Sequence, residues 1–228
     1  MSRSVPPFLG IVMLDTRFPR PIGDIGNPDT FARAGIAVRY RRVANASPTR
    51  VVIEADIALN TPFVEAMQAL ADEGAGLIST SCGFLAAQQS LFARAVSVPV
   101  ISSSLLQCAH LSQPGIVTFN AASLTPPVLD GAAVPNGTPI EGLEPGCELH
   151  RRILANDTTL DLVQAEHNVV QAAKRLVERH PGLQNLVLEC TNMPPYRAAV
   201  KKATGLPVHD IETLLLRTWH LSNPKFIT

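Results

Sequence analysis

Cys82 and Cys190 stand in the two stretches of this chain best suited to chemistry. The first reads Ser79-Thr80-Ser81-Cys82-Gly83-Phe84 and the second Glu189-Cys190-Thr191-Asn192. A thiol ionises near pH 8.5, so a local bias towards the anion turns it into a base or nucleophile at neutrality. Both cysteines end a short apolar run and precede a helical pattern. The N–H groups and dipole of a helix start favour a thiolate there, and lowering its pKa by about two units takes roughly 2.7 kcal/mol. Two thiols on opposite sides of one bound carbon can pass a proton through it. One thiolate removes the hydrogen next to a carboxylate, and the other thiol returns a proton to the opposite face. Hydroxyls and amides beside both cysteines can hold that carboxylate and the enolate-like charge that develops. An isolated cysteine at a strand end is more often a small buried hydrophobe, so the pairing needs independent support.

An internal repeat supplies that support. Cys82 lies 17 residues before Pro99-Val100-Ile101, and Cys190 lies 17 before Pro207-Val208-His209, so both landmarks recur at an offset of 108. Upstream, Gly10-Ile11-Val12 recurs as Gly115-Ile116-Val117 at an offset of 105, which sets Asp15 opposite Asn120. Three landmarks in register describe a duplication with a break at Gln113-Pro114-Gly115. The expected halves are residues 1–112 with Cys82 and 113–228 with Cys190, leaving room for a C-terminal segment, about 210–228, to return to the first half. Cys108 and Cys147 have no counterparts and read as structural.

The elements that would position these residues alternate. Strands are expected at 8–14, 36–43, 50–54, 77–80, 98–102, 115–119, 185–188 and 206–209. Between them, one helix opens with Thr61 as N-cap and Pro62 at its first position, and turns Phe63, Val64, Met67, Leu70 and Ala71 to one side. A longer helix covers about 158–179. This pattern predicts an α/β protein of two pseudo-symmetric, three-layer halves with parallel sheets. Chemistry in such sheets sits at the carboxyl ends of the strands. A pseudo-twofold axis then brings the two cysteine-bearing strand ends together.

Composition narrows the function. The 228 residues suffice for one large domain or two small ones, and 46% hydrophobic against 17% charged residues predicts a sizeable core. Lysine plus arginine equal aspartate plus glutamate at 19 each, which argues against a nucleic-acid partner. Arg39, Arg41 and Arg42 read as a solvated strand end. Four scattered cysteines make no disulfide framework, and without CxxC or HxH clusters no metal or other cofactor is expected. Residues 95–129 hold no charged side chain, yet Pro99, Pro114 and many polar residues exclude a membrane helix there; buried parallel strands explain the stretch. Arg3 precedes the apolar run Phe8 to Leu14, which is short for a secretory leader and is ended by Asp15 and Arg17. A soluble cytoplasmic protein with a small-molecule partner, and no membrane partner, is the expectation.

With the cysteine segments Thr80-Ser81-Cys82-Gly83 and Leu188-Glu189-Cys190-Thr191-Asn192 in hand, the chain resembles the aspartate/glutamate racemase superfamily from Gly10 to Val208. The resemblance implies two α/β halves, commonly a homodimer, no pyridoxal phosphate, and a site in which the cysteines flank the substrate. It implies a cofactor-independent racemase or epimerase acting on a small carboxylate. Hydantoin racemase, maleate-type isomerase and arylmalonate-type decarboxylase activities are alternatives on the same fold. It also implies substrate contacts for Asp15 and Thr16 after the first strand, for Thr118 near the end of the strand opening the second half, and for Thr191. Two departures bear on the substrate. Cys82-Gly83-Phe84 replaces the Cys-Asn-Thr of amino-acid racemases, leaving backbone donors and an aromatic wall, and Asn192 replaces a histidine. A less polar acid or a cyclic compound suits such a wall as well as an amino acid does.

The loop Gly23-Asp24-Ile25-Gly26-Asn27-Pro28 has two readings. It is a tight connection in which Asn27 caps a helix opened by Pro28, or a carboxylate-binding lid with Asp24 or Asn27 facing the substrate. Rival functions are a cysteine hydrolase, pairing Cys82 with His110 or with His209 and Asp210, and a non-catalytic binding module. His167 reads as a helix-surface residue, and Trp219 as part of a C-terminal helix end.

Overall fold

Strand β1 (Phe8–Met13) is buried over nearly its whole length, as expected where helices cover both faces of a parallel sheet. In a computed structural model, residues 6–223 are described; Arg3 and the last five residues of the expected 210–228 segment lie outside them. Along the chain, β1 is followed by α1 (Asp29–Ala32), β2 (Val38–Arg42), α2 (Asn60–Asp72), β3 (Ala75–Thr80), α3 (Gln89–Ala95) and β4 (Val100–Ile101). The second half runs β5 (Pro114–Thr118), α4 (Pro126–Gly131), β6 (Ile140–Gly142), α5 (Glu148–Leu154), α6 (Leu162–Arg179), β7 (Asn185–Leu188), α7 (Arg197–Thr204) and β8 (Val208–His209), and α8 (Ile211–Ser222) follows.

Two four-stranded sheets result, ordered β2-β1-β3-β4 and β6-β5-β7-β8, and every pairing is parallel. The repeat read from the sequence reappears as register. Gly10 pairs with Ile78 and Val12 with Thr80, while Gly115 pairs with Leu186 and Val117 with Leu188. Pairing of β3 with β4 and of β7 with β8 follows the same offset, Ile78 with Val100 and Leu186 with Val208.

Four local expectations are corrected. Residues 50–54 do not form a strand. Thr49–Ile53 is a π-helical turn that buries Val51 and Val52 and is held across its mouth by Arg50, which reaches Asp56 and the carbonyl of Asn45. Strand β6 is absent from the expected set because three residues with a central glutamate carry little apolar signal; Glu141 is tied instead to Arg175 and Arg179. Helix α2 starts before Thr61, since Asp56 accepts the N–H of Ala58 and caps a 3-10 turn, Ile57–Leu59, that runs into it. Helix α6 starts at Leu162, where Asp161 accepts the N–H groups of Val163 and Gln164.

After β8 the chain crosses back. A capping box of Asp210 and Thr213 opens α8, whose Ile211, Leu215 and Trp219 close a second core over Leu9, Ile11, Phe31, Ile36 and Leu77 of the first half. Among the described residues, no helix is long and apolar enough to cross a membrane.

Candidate active site

Strands β3 and β7 end at equivalent points, and the next two residues of each carry the site. Ser81 donates its N–H to the carbonyl of Val12 at 3.0 Å, and Glu189 donates to the carbonyl of Val117 at 2.8 Å. Cys82 and Cys190 follow and line one small cavity of about 30 Å³. Ser81, Gly83, Phe84, Glu189, Thr191 and Asn192 share its wall, with Leu14, Phe18, Phe119 and Ile153 as the principal apolar partners. Among the described residues, no lysine, arginine or histidine lines it. The Thr191 hydroxyl donates to the carbonyl of Ser81 at 2.7 Å and latches the two strand ends together.

Neither cysteine sits directly at an α-helix start. Short turns intervene, and α3 and α7 begin seven residues beyond Cys82 and Cys190 respectively. The N–H groups of Phe84 and Leu85 face the Cys82 sulfur, and that of Asn192 faces Cys190. They favour a thiolate, but burial outweighs them. Loss of hydration, with the nearby Glu189 carboxylate next in size, pushes Cys82 up to about 12 and Cys190 well above the usual thiol range. The expected lowering is therefore reversed, and the surroundings favour the neutral thiol at both positions.

Glu189 is fully buried. Its Oε2 accepts the Thr118 hydroxyl at 2.7 Å, while Oε1 has no hydrogen-bond partner among the described residues. Loss of hydration raises its pKa to about 7 against the pull of Thr118 and the Phe119 backbone. A Cβ at position 83 would collide with Oε1 and with the carbonyl of Glu189, so glycine is what lets the first cysteine loop close over this carboxylate.

Behind Cys190 runs a chain of polar contacts. The Cys190 sulfur lies 3.5 Å from Asn192 Oδ1, and Asn192 Nδ2 donates to Asp24 Oδ2 at 2.6 Å. Asp24 Oδ1 accepts from Arg20 and from the N–H of Gly26, each at 2.7 Å, and Arg20 also reaches Thr16 Oγ1 at 2.7 Å. Asp24 and Thr16 thus connect to the cavity through neighbours rather than lining it. Thr118 likewise stands behind Glu189.

Two expected contacts lie elsewhere. Asp15 is partly exposed, accepts the N–H of Asn45 and faces Arg42, while its backbone N–H donates to the carbonyl of Ala46. Asn27 braces its own loop, donating to the carbonyl of Arg20 and accepting from Asp29, as the tight-connection reading has it. Neither His110, which is exposed, nor His209, bonded to Asn185, lines the cavity, so no imidazole stands ready to serve a hydrolase triad.

Arg20, Phe18, Phe119 and Glu189 were not singled out from the sequence. For Glu189 a signal existed: it is a carboxylate closing an otherwise apolar strand, Leu186-Val187-Leu188, at the position matched by Ser81 in the first half.

No protein-family model matches the chain. A dimethylsulfoniopropionate lyase from Durusdinium sp. clade D is 29% identical over 96% of this chain and 76% of its own length. Dimethylsulfoniopropionate lyase 3 from Emiliania huxleyi (strain CCMP1516) is 31% identical over 96% of this chain, which spans 61% of that relative. Among solved structures, glutamate racemase from Bacillus anthracis superposes with a TM-score of 0.59 at 15% identity, over 97% of this chain and 83% of that one. Arylmalonate decarboxylase gives 0.55 at 15% identity, over 87% and 86%.

Proposed function

We propose that this chain, which has the fold of the aspartate/glutamate racemase superfamily, is a lyase that eliminates a leaving group from the β-carbon of a small carboxylate, with dimethylsulfoniopropionate as its candidate substrate. The observation that carries this reading is the joint lining of one cavity by Cys82 and Cys190, in a chain alike over nearly its whole length to dimethylsulfoniopropionate lyases. One cysteine, as thiolate, takes the hydrogen from the carbon next to the carboxylate. The electron pair of that C–H bond becomes the carbon–carbon double bond, and the pair of the breaking C–S bond leaves on sulfur. The products are acrylate and neutral dimethyl sulfide, with the proton on the cysteine. The free hydroxyl proton of Ser81 and the backbone N–H groups of the cysteine loops suit the substrate carboxylate, as donors aimed where enolate charge develops.

The same first step starts a racemisation, in which the second thiol returns a proton to the opposite face. The equivalence of Cys82 and Cys190 under the repeat favours that second reading. One experiment separates the two. The protein is given dimethylsulfoniopropionate with headspace detection of dimethyl sulfide, and chiral carboxylic acids and amino acids in deuterated water with NMR detection of α-hydrogen exchange. The expected outcome is dimethyl sulfide release, reduced on the order of a hundredfold or more in Cys82→Ser or Cys190→Ser. Exchange with loss of optical activity and no sulfide release assigns a racemase instead, and release that survives both substitutions overturns a cysteine base.

A further inference from the structure

Proton transfer by the two cysteines does not account for Glu189. A buried carboxylate with one oxygen unpartnered is a costly group to retain, and the equivalent position in the first half holds only Ser81. Yet the site is built around it. Thr118 holds Oε2, position 83 lacks a Cβ where Oε1 lies, and among the described residues no basic side chain lines the cavity to answer the charge. Its apolar lining includes three aromatic rings, Phe18, Phe84 and Phe119, beside the aliphatic Leu14 and Ile153. A carboxylate oxygen without a partner calls for a positive charge, and aromatic walls suit a weakly hydrated cation clothed in methyl groups.

We propose that Glu189 is the specificity-determining residue of the site and that its Oε1 receives the positively charged onium head of a zwitterionic substrate. The inference rests on the lyase reading for the identity of that substrate, a β-onium carboxylate, but not for the contact itself. A dicarboxylate without a cationic group, such as succinate, is disfavoured by the same arrangement, since its second carboxylate meets Glu189 with no cation between them. Seating the head at Glu189 leaves the substrate carboxylate to the hydroxyl and N–H donors and sets the carbon between them beside the thiols. It also prepares the base. Burial and the Glu189 charge are the two largest causes that hold both thiols neutral, and a bound cation cancels the second of them.

The test uses a pair of isosteres, 3-(trimethylammonio)propionate, whose amine is a far poorer leaving group than a sulfide, and 4,4-dimethylpentanoate, which differ in shape very little and in charge by one unit. Calorimetric titration at pH 8 is expected to show the cation bound at least about tenfold more tightly by the unaltered protein. Glu189→Gln is expected to reduce that preference to about twofold or less, and Glu189→Asp to keep part of it. Equal binding of the two isosteres, binding of neither, or an undiminished preference in Glu189→Gln overturns the proposal. The comparison on the unaltered protein stands even if a variant fails to fold. Cation preference without dimethyl sulfide release sinks the lyase reading alone, and sulfide release without cation preference sinks this inference alone.

Discussion

A carboxyl group held in an apolar cavity weakens the folded state as pH rises, and Glu189 is the residue through which this protein should show it. Its pKa is raised from the ordinary 4.5 to about 7. Between those values the folded chain keeps a proton that the unfolded chain has released, so stability falls with increasing pH across that window and stays reduced above it. The difference of about 2.5 units corresponds to roughly 3 kcal/mol. Glu189→Gln should therefore exceed the parent in stability by up to about 3 kcal/mol at pH 8, with the gap closing towards pH 4.5. Urea unfolding at pH 4.5, 6 and 8 measures it, and a gap that widens on acidification contradicts the burial of an ionisable Glu189. The thiols share this environment but are neutral throughout the range, so they do not obscure the result.

Among the elements, the long connection between β1 and α1 decides how the second cysteine is held. Its Arg20 and Asp24 form a nearly buried ion pair at 2.7 Å, with side-chain exposures of 11% and 1%, and the remaining Asp24 oxygen fixes Asn192. Removing one partner leaves the other charge buried and unanswered, which costs about 3–5 kcal/mol. Asp24→Ala is expected to destabilise the protein by that amount, whereas Asn27→Ala, which loses bonds only within the loop, should cost about 1 kcal/mol. Chemical denaturation of the two variants checks the order, and equal losses would show that the contact with Asn192 and Arg20 carries no weight. The same connection shows the limit of local pattern. Asp24 and Asn27 look alike as loop polar residues, and only one of them reaches across to the second half.

For the molecule as a whole, the pseudo-twofold arrangement is completed by a departure from it. Helix α8 belongs by sequence to the second half, yet its apolar face covers the first sheet, with Trp219 buried over Leu9, Ile11 and Leu77 in one cluster. Trp219→Ala opens a cavity in that cluster and should cost about 3–5 kcal/mol. Thermal unfolding measures the loss, and a change under 1 kcal/mol would mean that the crossing helix contributes little to the first half.

The repeat, the two parallel sheets and the equivalent strand-end positions of Cys82 and Cys190 were legible in the chain, because buried parallel strands leave continuous apolar runs and a repeat preserves its offsets. Short or polar elements were not. Strand β6 carries too few apolar residues to register, and Val51-Val52-Ile53 has β-branched character that the π turn overrides through burial and the Arg50–Asp56 pair. At the site, residue types named the candidates but could not orient them. Asp15 turns to Asn45 and Arg42, Asp24 and Thr16 connect to the cavity only through neighbours, and Glu189 moves from the margin of a motif to the wall of the cavity. The thiol pKa values belong to the same class. A strand-end cysteine is a local feature, but its charge is set by how much water the assembled halves exclude and by a carboxylate whose side chain meets the first cysteine loop only when β3 and β7 face each other. Burial and long-range charge are properties of the assembled halves, and no local stretch of sequence contains them.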